Sequence, residues 1–304
     1  MKIVTLTLSA AFDIHCDAKE INVNHENIAN ITGIDAGGKG VNISKALKSF
    51  NTDSIALAVL GKENADEFVK KLEKDGICLE KILIDGRIRE NITIHTNDGK
   101  ETRLSFNSSL VPENTIDRIE EISNGICDKD TIVAIVGRVP AGIDMRKLKD
   151  YILALKERNI KVVIDSKSFS LADLKEIKPF MVKPNQEEIS EYIGMEITNL
   201  KDAEYAAKEL YRIGIENVMV TLGERGSILV SNGISYKAQV PKIQAVSTIG
   251  AGDSSIAGFL YAYTNGFSMA DCLKYSVAFG TAACLTAGTN PPEYETILKI
   301  LKKI

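Results

Sequence analysis

What these 304 residues do without excludes several kinds of protein. The five cysteines, Cys16, Cys78, Cys127, Cys272 and Cys284, are scattered and never spaced Cys-x-x-Cys, and only His15, His25 and His95 accompany them. A structural zinc site needs denser and more regular ligands, so none is expected. No apolar run approaches the ~20 residues of a membrane-spanning helix. Basic residues do not dominate: 37 Lys+Arg against 41 Asp+Glu leave a net charge of −4. That balance argues against general binding of nucleic acid or of an anionic membrane surface. No internal repeat, low-complexity stretch or linker divides the chain. It opens with Lys2-Ile3-Val4-Thr5-Leu6-Thr7-Leu8, which reads as a buried strand and not as a signal peptide. A reducing cytoplasm is the expected setting.

What is present is an ordinary globular composition, 44% hydrophobic and 26% charged, with length enough for a real core. Strand-like runs fall at 3–8, 54–60, 77–84, 131–136, 161–165, 180–182 and 218–222. Helical runs alternate with them at 64–74, 112–124, 144–158 and 203–213, and continue at 254–263, at 271–287 and from 291 to the C-terminus. This βα order predicts an α/β fold, a mostly parallel sheet with helices on both faces. Ligands then belong at the carboxyl ends of the strands. Asp13, Gly137-Arg138, Asp165, Lys183 and Gly223 all follow strand-like runs. Two further segments, about 12–35 and 88–107, are polar with interleaved Ile and Val and read as exposed sheet. Asn97-Asp98-Gly99-Lys100 between alternating runs marks a hairpin in the second of them.

One stretch concentrates chemistry: Ser247-Thr248-Ile249-Gly250-Ala251-Gly252-Asp253-Ser254-Ser255. Small residues admit a ligand close to the backbone, and the N-terminus of the following helix suits negative charge. A single carboxylate beside such an anion site can accept the proton of an attacking hydroxyl. The plainer reading is a glycine-rich loop with Asp253 capping its helix. No Gly-Lys-Ser/Thr follows the glycines, so this is not a Walker loop. Gly37-Gly38-Lys39-Gly40 opens another helix, where Lys39 adds a point charge suited to phosphate and Asn42 falls one turn inside. Asp13 reads either as a turn former or as a ligand for a substrate hydroxyl. Asn185 and Glu188 read as the cap and first turn of a helix.

Together, Thr248–Asp253 with the small-residue helix behind it, and Ala36-Gly37-Gly38-Lys39-Gly40-Val41-Asn42 ahead of it, resemble the two signatures of the ribokinase-like (PfkB) sugar kinases. The resemblance spans the chain and implies one kinase domain, 1–304, whose segments at about 12–35 and 88–107 form a small β-sheet lid. It implies ATP and Mg2+ as cofactors, a sugar phosphate as the other substrate, and a homodimer formed through the lid. Asp253 is then the catalytic base, with Gly250, Ala251 and Gly252 as the anion hole. Asp13, Gly37, Gly38 and Asn42 would orient the sugar, and Lys39, Arg89 and Arg138 would hold its phosphate. Arg87 is left as surface charge, and Arg103 is a helper at most. Lys183, Asn185, Thr221, Gly223, Gly226 and Thr248 fall on the nucleotide side, and Glu188 would meet magnesium through water.

Gly137-Arg138-Val139-Pro140-Ala141-Gly142 departs from the family's Gly-Ser-Leu-Pro-x-Gly by replacing a hydroxyl with a guanidinium. Within the family, Gly61-Lys62-Glu63-Asn64, Gly86-Arg87-Ile88-Arg89-Glu90-Asn91 and the Asp253 segment look most like the branch acting on fructose 1-phosphate. Its product is fructose 1,6-bisphosphate. The tagatose 6-phosphate and fructose 6-phosphate branches are the alternatives, and a sugar-phosphate sensor on a kinase scaffold is the non-enzymatic one.

Overall fold

Alternating buried strands and amphipathic helices build two sheets. The strands are β1 (Lys2–Thr7), β2 (Ala11–Ala18), β3 (Ala29–Gly37), β4 (Ile55–Gly61), β5 (Cys78–Ile84), β6 (Arg89–Thr96), β7 (Glu101–Leu104), β8 (Thr131–Val136), β9 (Lys161–Asp165), β10 (Met181–Val182), β11 (Asn217–Thr221), β12 (Ser227–Ser231) and β13 (Ile234–Ala238). The helices are α1 (Lys39–Ser49), α2 (Ala65–Lys74), α3 (Thr115–Ile126), α4 (Met145–Glu157), α5 (Leu171–Ile177), α6 (Gln186–Ile193), α7 (Leu200–Arg212), α8 (Ala251–Thr264), α9 (Met269–Ala283) and α10 (Tyr294–Leu301). The computed structural model describes every residue from 1 to 304. No helix is long and apolar enough to cross a membrane.

Nine strands form the large sheet in the order β13-β12-β11-β10-β9-β8-β1-β4-β5. From β5 to β11 every pairing is parallel, and the hairpin β12–β13 closes the edge antiparallel. Side chains along a strand alternate faces, and β8 shows the result. Val133 and Ile135 enter one core with Leu148, Leu174 and Leu210 of α4, α5 and α7, while Ile132, Ala134 and Val136 enter the other with Ile43, Ile256 and Phe279 of α1, α8 and α9. Helices therefore cover both faces, as the βα order requires.

The small sheet runs β3-β2-β6-β7. Its root is fixed, because Phe12 and Ala36 share an apolar cluster with Val41, Phe68 and Leu72 of α1 and α2. Above the root its two faces differ. Asp13 pairs with Asp35 and Asn91, and Thr93 with Arg103, which places a polar set on one face; Ile14, Ile92, Ile94 and Leu104 occupy the other.

Some expected boundaries shift. Asp13 is neither in a turn nor at a strand end but in the third position of β2, where neighbours on both sides complete its ladder. Helix α8 begins at Ala251, not at 254, so Asp253 is inside its first turn. Helix α9 spans Met269–Ala283 and stops short of 287. The sequence reading passed over α5, a seven-residue helix held by a capping box between Ser170 and Asp173.

Candidate active site

At the carboxyl ends of the central strands, Gly250 takes φ 78° as the N-cap of α8 and turns the chain so that the amides of the first helical turn open outward. The small residues behind it let α9 approach closely: a methyl on Gly258 would overlap the Tyr275 backbone, and one on Gly280 would overlap Ser255 and lie 3.1 Å from the Ala251 carbonyl oxygen. Asp253 projects from this turn and is 5% exposed. Its carboxylate does not cap the helix. Oδ2 instead accepts a hydrogen bond of 2.9 Å from Asn42 Nδ2 on α1. Burial pushes the Asp253 carboxyl up to about 6, against the pull of Lys39 and the Asn42 hydrogen bond. Asn42 is thus committed to Asp253 through its amide, and its buried Oδ1 keeps no partner. That oxygen is free to accept a hydrogen bond from a bound molecule.

Two lysines flank the same turn through one acid. Asp165, at the end of β9, lies 2.9 Å from Lys39 Nζ and 3.3 Å from Lys183 Nζ. Burial alone would raise its carboxyl, but Lys183 and Lys39 outweigh that and hold it below the ordinary range. Burial would likewise lower Lys39, yet Asp165 and Asp253 hold it firmly charged. Lys183 Nζ sits 3.3 Å from where a side chain on Gly252 would begin, directly over the anion turn. Lys39 leans along Gly137, 3.6 Å from that residue's Cβ position. Its ammonium therefore faces Asp165 and the Asp253 turn.

The polar face of the small sheet supplies the other half. Asp13 is 2% exposed, and its Oδ1 accepts from Asn91 Nδ2 at 3.0 Å and from Arg103 Nη2 at 2.8 Å, while Thr289 Oγ1 is 3.4 Å from Oδ2. Gly37 admits this carboxylate, since a side chain there would begin 2.7 Å from Asp13 Oδ2 and 3.4 Å from Asn42 Oδ1. Asp13 of the small sheet and Asp253 of α8 are joined in this way through Gly37 and Asn42. Gly38, at φ 113°, is the N-cap of α1.

Arg89 donates to the Phe106 carbonyl at 2.9 Å, and its buried Nε has no partner. Burial lowers the Arg89 guanidinium, as do the charges of Arg103 and Arg138, with Asp13 opposing. Arg103 pairs with Asp13, and the charges of Arg103 and of exposed Arg138 are felt at Arg89. Arg87 points away to Glu90 at 2.8 Å.

On the remaining side, Asn185 caps α6 and the Glu188 carboxylate returns to the Asn185 amide at 2.9 Å, a capping box. Thr221 bridges to Asn185, and the turn that follows takes φ 60° at Gly223 and 107° at Gly226. The Thr248 carbonyl accepts from the Ala251 amide at 3.4 Å. No group of three or more His, Cys, Asp or Glu residues comes together as a cage for a metal ion. Magnesium does not ask for one, because it retains water and binds largely through substrate phosphates. Glu188, at 8% exposure and with one oxygen engaged, lines a small cavity with Asp165 and Lys183 and fits a water-mediated contact of that kind.

Arg103, Asp165 and Thr289 were given no firm place from the sequence. Only Asp165 left a signal, a lone acid closing a buried strand.

The pattern of the pfkB family carbohydrate kinases matches residues 8–297. A 1-phosphofructokinase of Borreliella burgdorferi is 33% identical over 303 residues, 99% of this chain and 97% of that protein. One of Haemophilus influenzae is 29% identical over 303 residues, with 99% and 97% covered. Among solved structures, phosphofructokinase-2 from Escherichia coli in complex with substrates and products superposes with a TM-score of 0.95 at 25% identity, covering 100% of this chain and 99% of that one. Anion turn, buried carboxylate and two-sheet architecture agree with these matches, and the chain belongs to the pfkB family of carbohydrate kinases.

Proposed function

We propose that this chain transfers the γ-phosphoryl group of ATP to fructose 1-phosphate, giving fructose 1,6-bisphosphate and ADP. The observation that carries the reading is Arg103 paired with buried Asp13, with the buried Nε of Arg89 left without a partner and the charge of Arg138 felt at Arg89. Like charges that act on one another are eased by an anion among them, and guanidiniums bind phosphate through paired hydrogen bonds. These charges favour a substrate that already carries phosphate over a neutral sugar. The relatives named 1-phosphofructokinase support the choice of sugar.

Asp253, neutral below about 6 and ionised above it, accepts the proton of the attacking hydroxyl as that oxygen bonds to the γ-phosphorus. The bond from the γ-phosphorus to the bridging oxygen breaks, and ADP departs with the electron pair. Charge on the transferring group is met by the amides from Gly250 to Gly252 and by the ammonium of Lys183 beside them. Lys39 adds its charge to the same turn. Asn42 holds Asp253 in orientation. Magnesium, when bound with the nucleotide, would neutralise phosphate charge next to Glu188. The small sheet acts as the lid that keeps water from the phosphoryl group.

The test is ADP release with MgATP and fructose 1-phosphate, fructose 6-phosphate, tagatose 6-phosphate or fructose. Preference for fructose 1-phosphate is expected. Preference for a 6-phosphate would reassign the substrate, and silence on all four would favour a sensor. In the same assay R138S should raise KM for the sugar phosphate about tenfold or more, the size of a lost charge-assisted contact, and leave KM for ATP unchanged. A lower KM would instead show that Arg138 obstructs the pocket.

The outer face of the lid points to a second copy of the chain. Ile31 and Leu104 are 63% and 48% exposed there, next to half-buried Ile92 and Ile94, and apolar rows of this kind mark interaction surfaces. Sedimentation should find a dimer, reduced to monomer by Leu104→Glu. A monomeric wild type would remove this part of the reading.

A further inference from the structure

We infer that His15 is a positioning residue that couples the small sheet to the phosphoryl-binding end of α8; the inference rests on the function proposed above. His15 follows Asp13 by two residues in β2 and is 8% exposed. Its Nε2 lies 3.3 Å from Asp35 Oδ2, a charge contact rather than an aligned hydrogen bond, because neither ring nitrogen has a hydrogen-bond partner. Asp35 nonetheless raises the imidazole above its usual range, over the opposing effect of burial. The His95 ring stacks alongside at 6.4 Å, and Asp13 and Arg103 act on His15 at longer range. The sheet thereby holds the ring in one place.

The Cε1–Nε2 edge of that ring, the edge that also meets Asp35, fills the space over Gly288, in the turn after α9. A methyl on Gly288 would overlap the imidazole. The next residue, Thr289, is 8% exposed and reaches in two directions. Its hydroxyl is 3.4 Å from Asp13 Oδ2, the sugar-side acid. Its Cα is 3.7 Å from the Cβ position of Gly250, the residue that turns the chain into the anion hole. The turn is closed on itself by Thr286, whose one hydroxyl hydrogen is shared between the Ala283 and Asn290 carbonyls at 2.8 and 2.9 Å, so residues 288 and 289 lie within one closed turn.

A ring pressed on Gly288 consequently sets where Thr289 stands against both Asp13 and Gly250. Placement of the small sheet is then felt at the helix end that receives the phosphoryl group. Removing the ring leaves a gap into which the turn can sink, and adding a methyl at 288 pushes the turn away. Both changes should misalign the two halves of the site in the same reaction.

The experiment compares wild type, H15A, G288A and H15A/G288A. Steady-state kinetics use whichever sugar phosphate the wild type turns over best. Hydrogen exchange of residues 247–252 is followed on the protein without substrates. Each single variant should raise KM for the sugar phosphate and lower kcat, with a combined loss of about tenfold to a hundredfold, the cost of a displacement near 1 Å. KM for ATP should not change, and exchange in 247–252 should quicken. The double variant should recover most of both, since its methyl occupies space the ring has left. Strain from alanine at the Gly288 φ of 60° is common to G288A and the double variant and cancels between them.

Single variants that lose thermal stability while keeping wild-type kinetics and exchange would make His15 only a space filler and overturn the inference. So would a double variant no better than G288A. If the wild type phosphorylates no sugar phosphate, the proposed function fails, and the exchange comparison still decides the coupling.

Discussion

Asp253→Asn should reduce turnover about 10²- to 10⁴-fold, the range that a positioned base contributes, while KM for both substrates changes little. The isosteric amide still accepts from Asn42 Nδ2 and still fits its buried place, but it cannot take up a proton. The same substitution should make the protein more stable above neutrality. Burial raises the carboxyl from 3.8 to about 6, so between those values the folded protein binds a proton that the unfolded chain does not. Stability supplied by this group is complete below about pH 4 and is lost as pH rises through about 6, by roughly 3 kcal/mol for a shift near two units. The asparagine variant does not carry that loss. Its melting temperature should exceed the wild type's by several degrees at about pH 8 and by much less at about pH 4.5, where Asp253 is neutral. In the wild type, kcat/KM should show an acid limb near 6, because it reports the base of the free enzyme. Near-normal turnover in the variant, or no limb near 6, would remove Asp253 from its role.

The second large effect belongs to Asp165→Ala. Asp165 and Lys183 have side chains 2% and 4% exposed, so removing the acid strands an ammonium in the interior. Breaking a buried pair from one side typically costs about 3–5 kcal/mol, or roughly 10 °C in a domain of this size. Lys39, 42% exposed along its side chain, can turn to solvent and adds less to that loss. Turnover should fall too, because both ammoniums beside the anion turn lose the group that aims them. Asp165→Asn separates charge from shape: it keeps the packing and loses the carboxylate. Thermal unfolding of the two variants within about 1 kcal/mol of wild type would show that the acid does not anchor the lysines.

How much of this was legible in the sequence depends on how local the cause is. The glycine turn into α8 was legible because Gly250, Ala251, Gly252 and Asp253 are contiguous and each residue type has a reason to be there. The central strands were legible because a strand buried on both faces is an unbroken apolar run, as in Ile132–Val136. Partnerships were not. Lys39 and Asp165 stand 126 positions apart, and Asn42 and Asp253 stand 211 apart. No spacing rule connects such residues before the sheet order is known. Asp13 read equally well as a turn or as a ligand, since its strand pairing depends on Asp35 and Asn91 in other segments. Arg103 stayed a helper because nothing along the chain shows that the register of β6 and β7 turns it toward Asp13.

The close contact of α8 with α9 has a consequence for how such an enzyme can diverge. Gly258 and Gly280 leave no room for a methyl between the helices. The floor beneath the anion turn is therefore closed to gradual substitution, and change there requires a backbone shift that would displace Asp253 with it. New specificities must arise elsewhere, by exchange of side chains that already face open space. Arg138 in its exposed turn is such a position. What the site accepts is therefore freer to change at its rim than at the tightly packed helix pair beneath it.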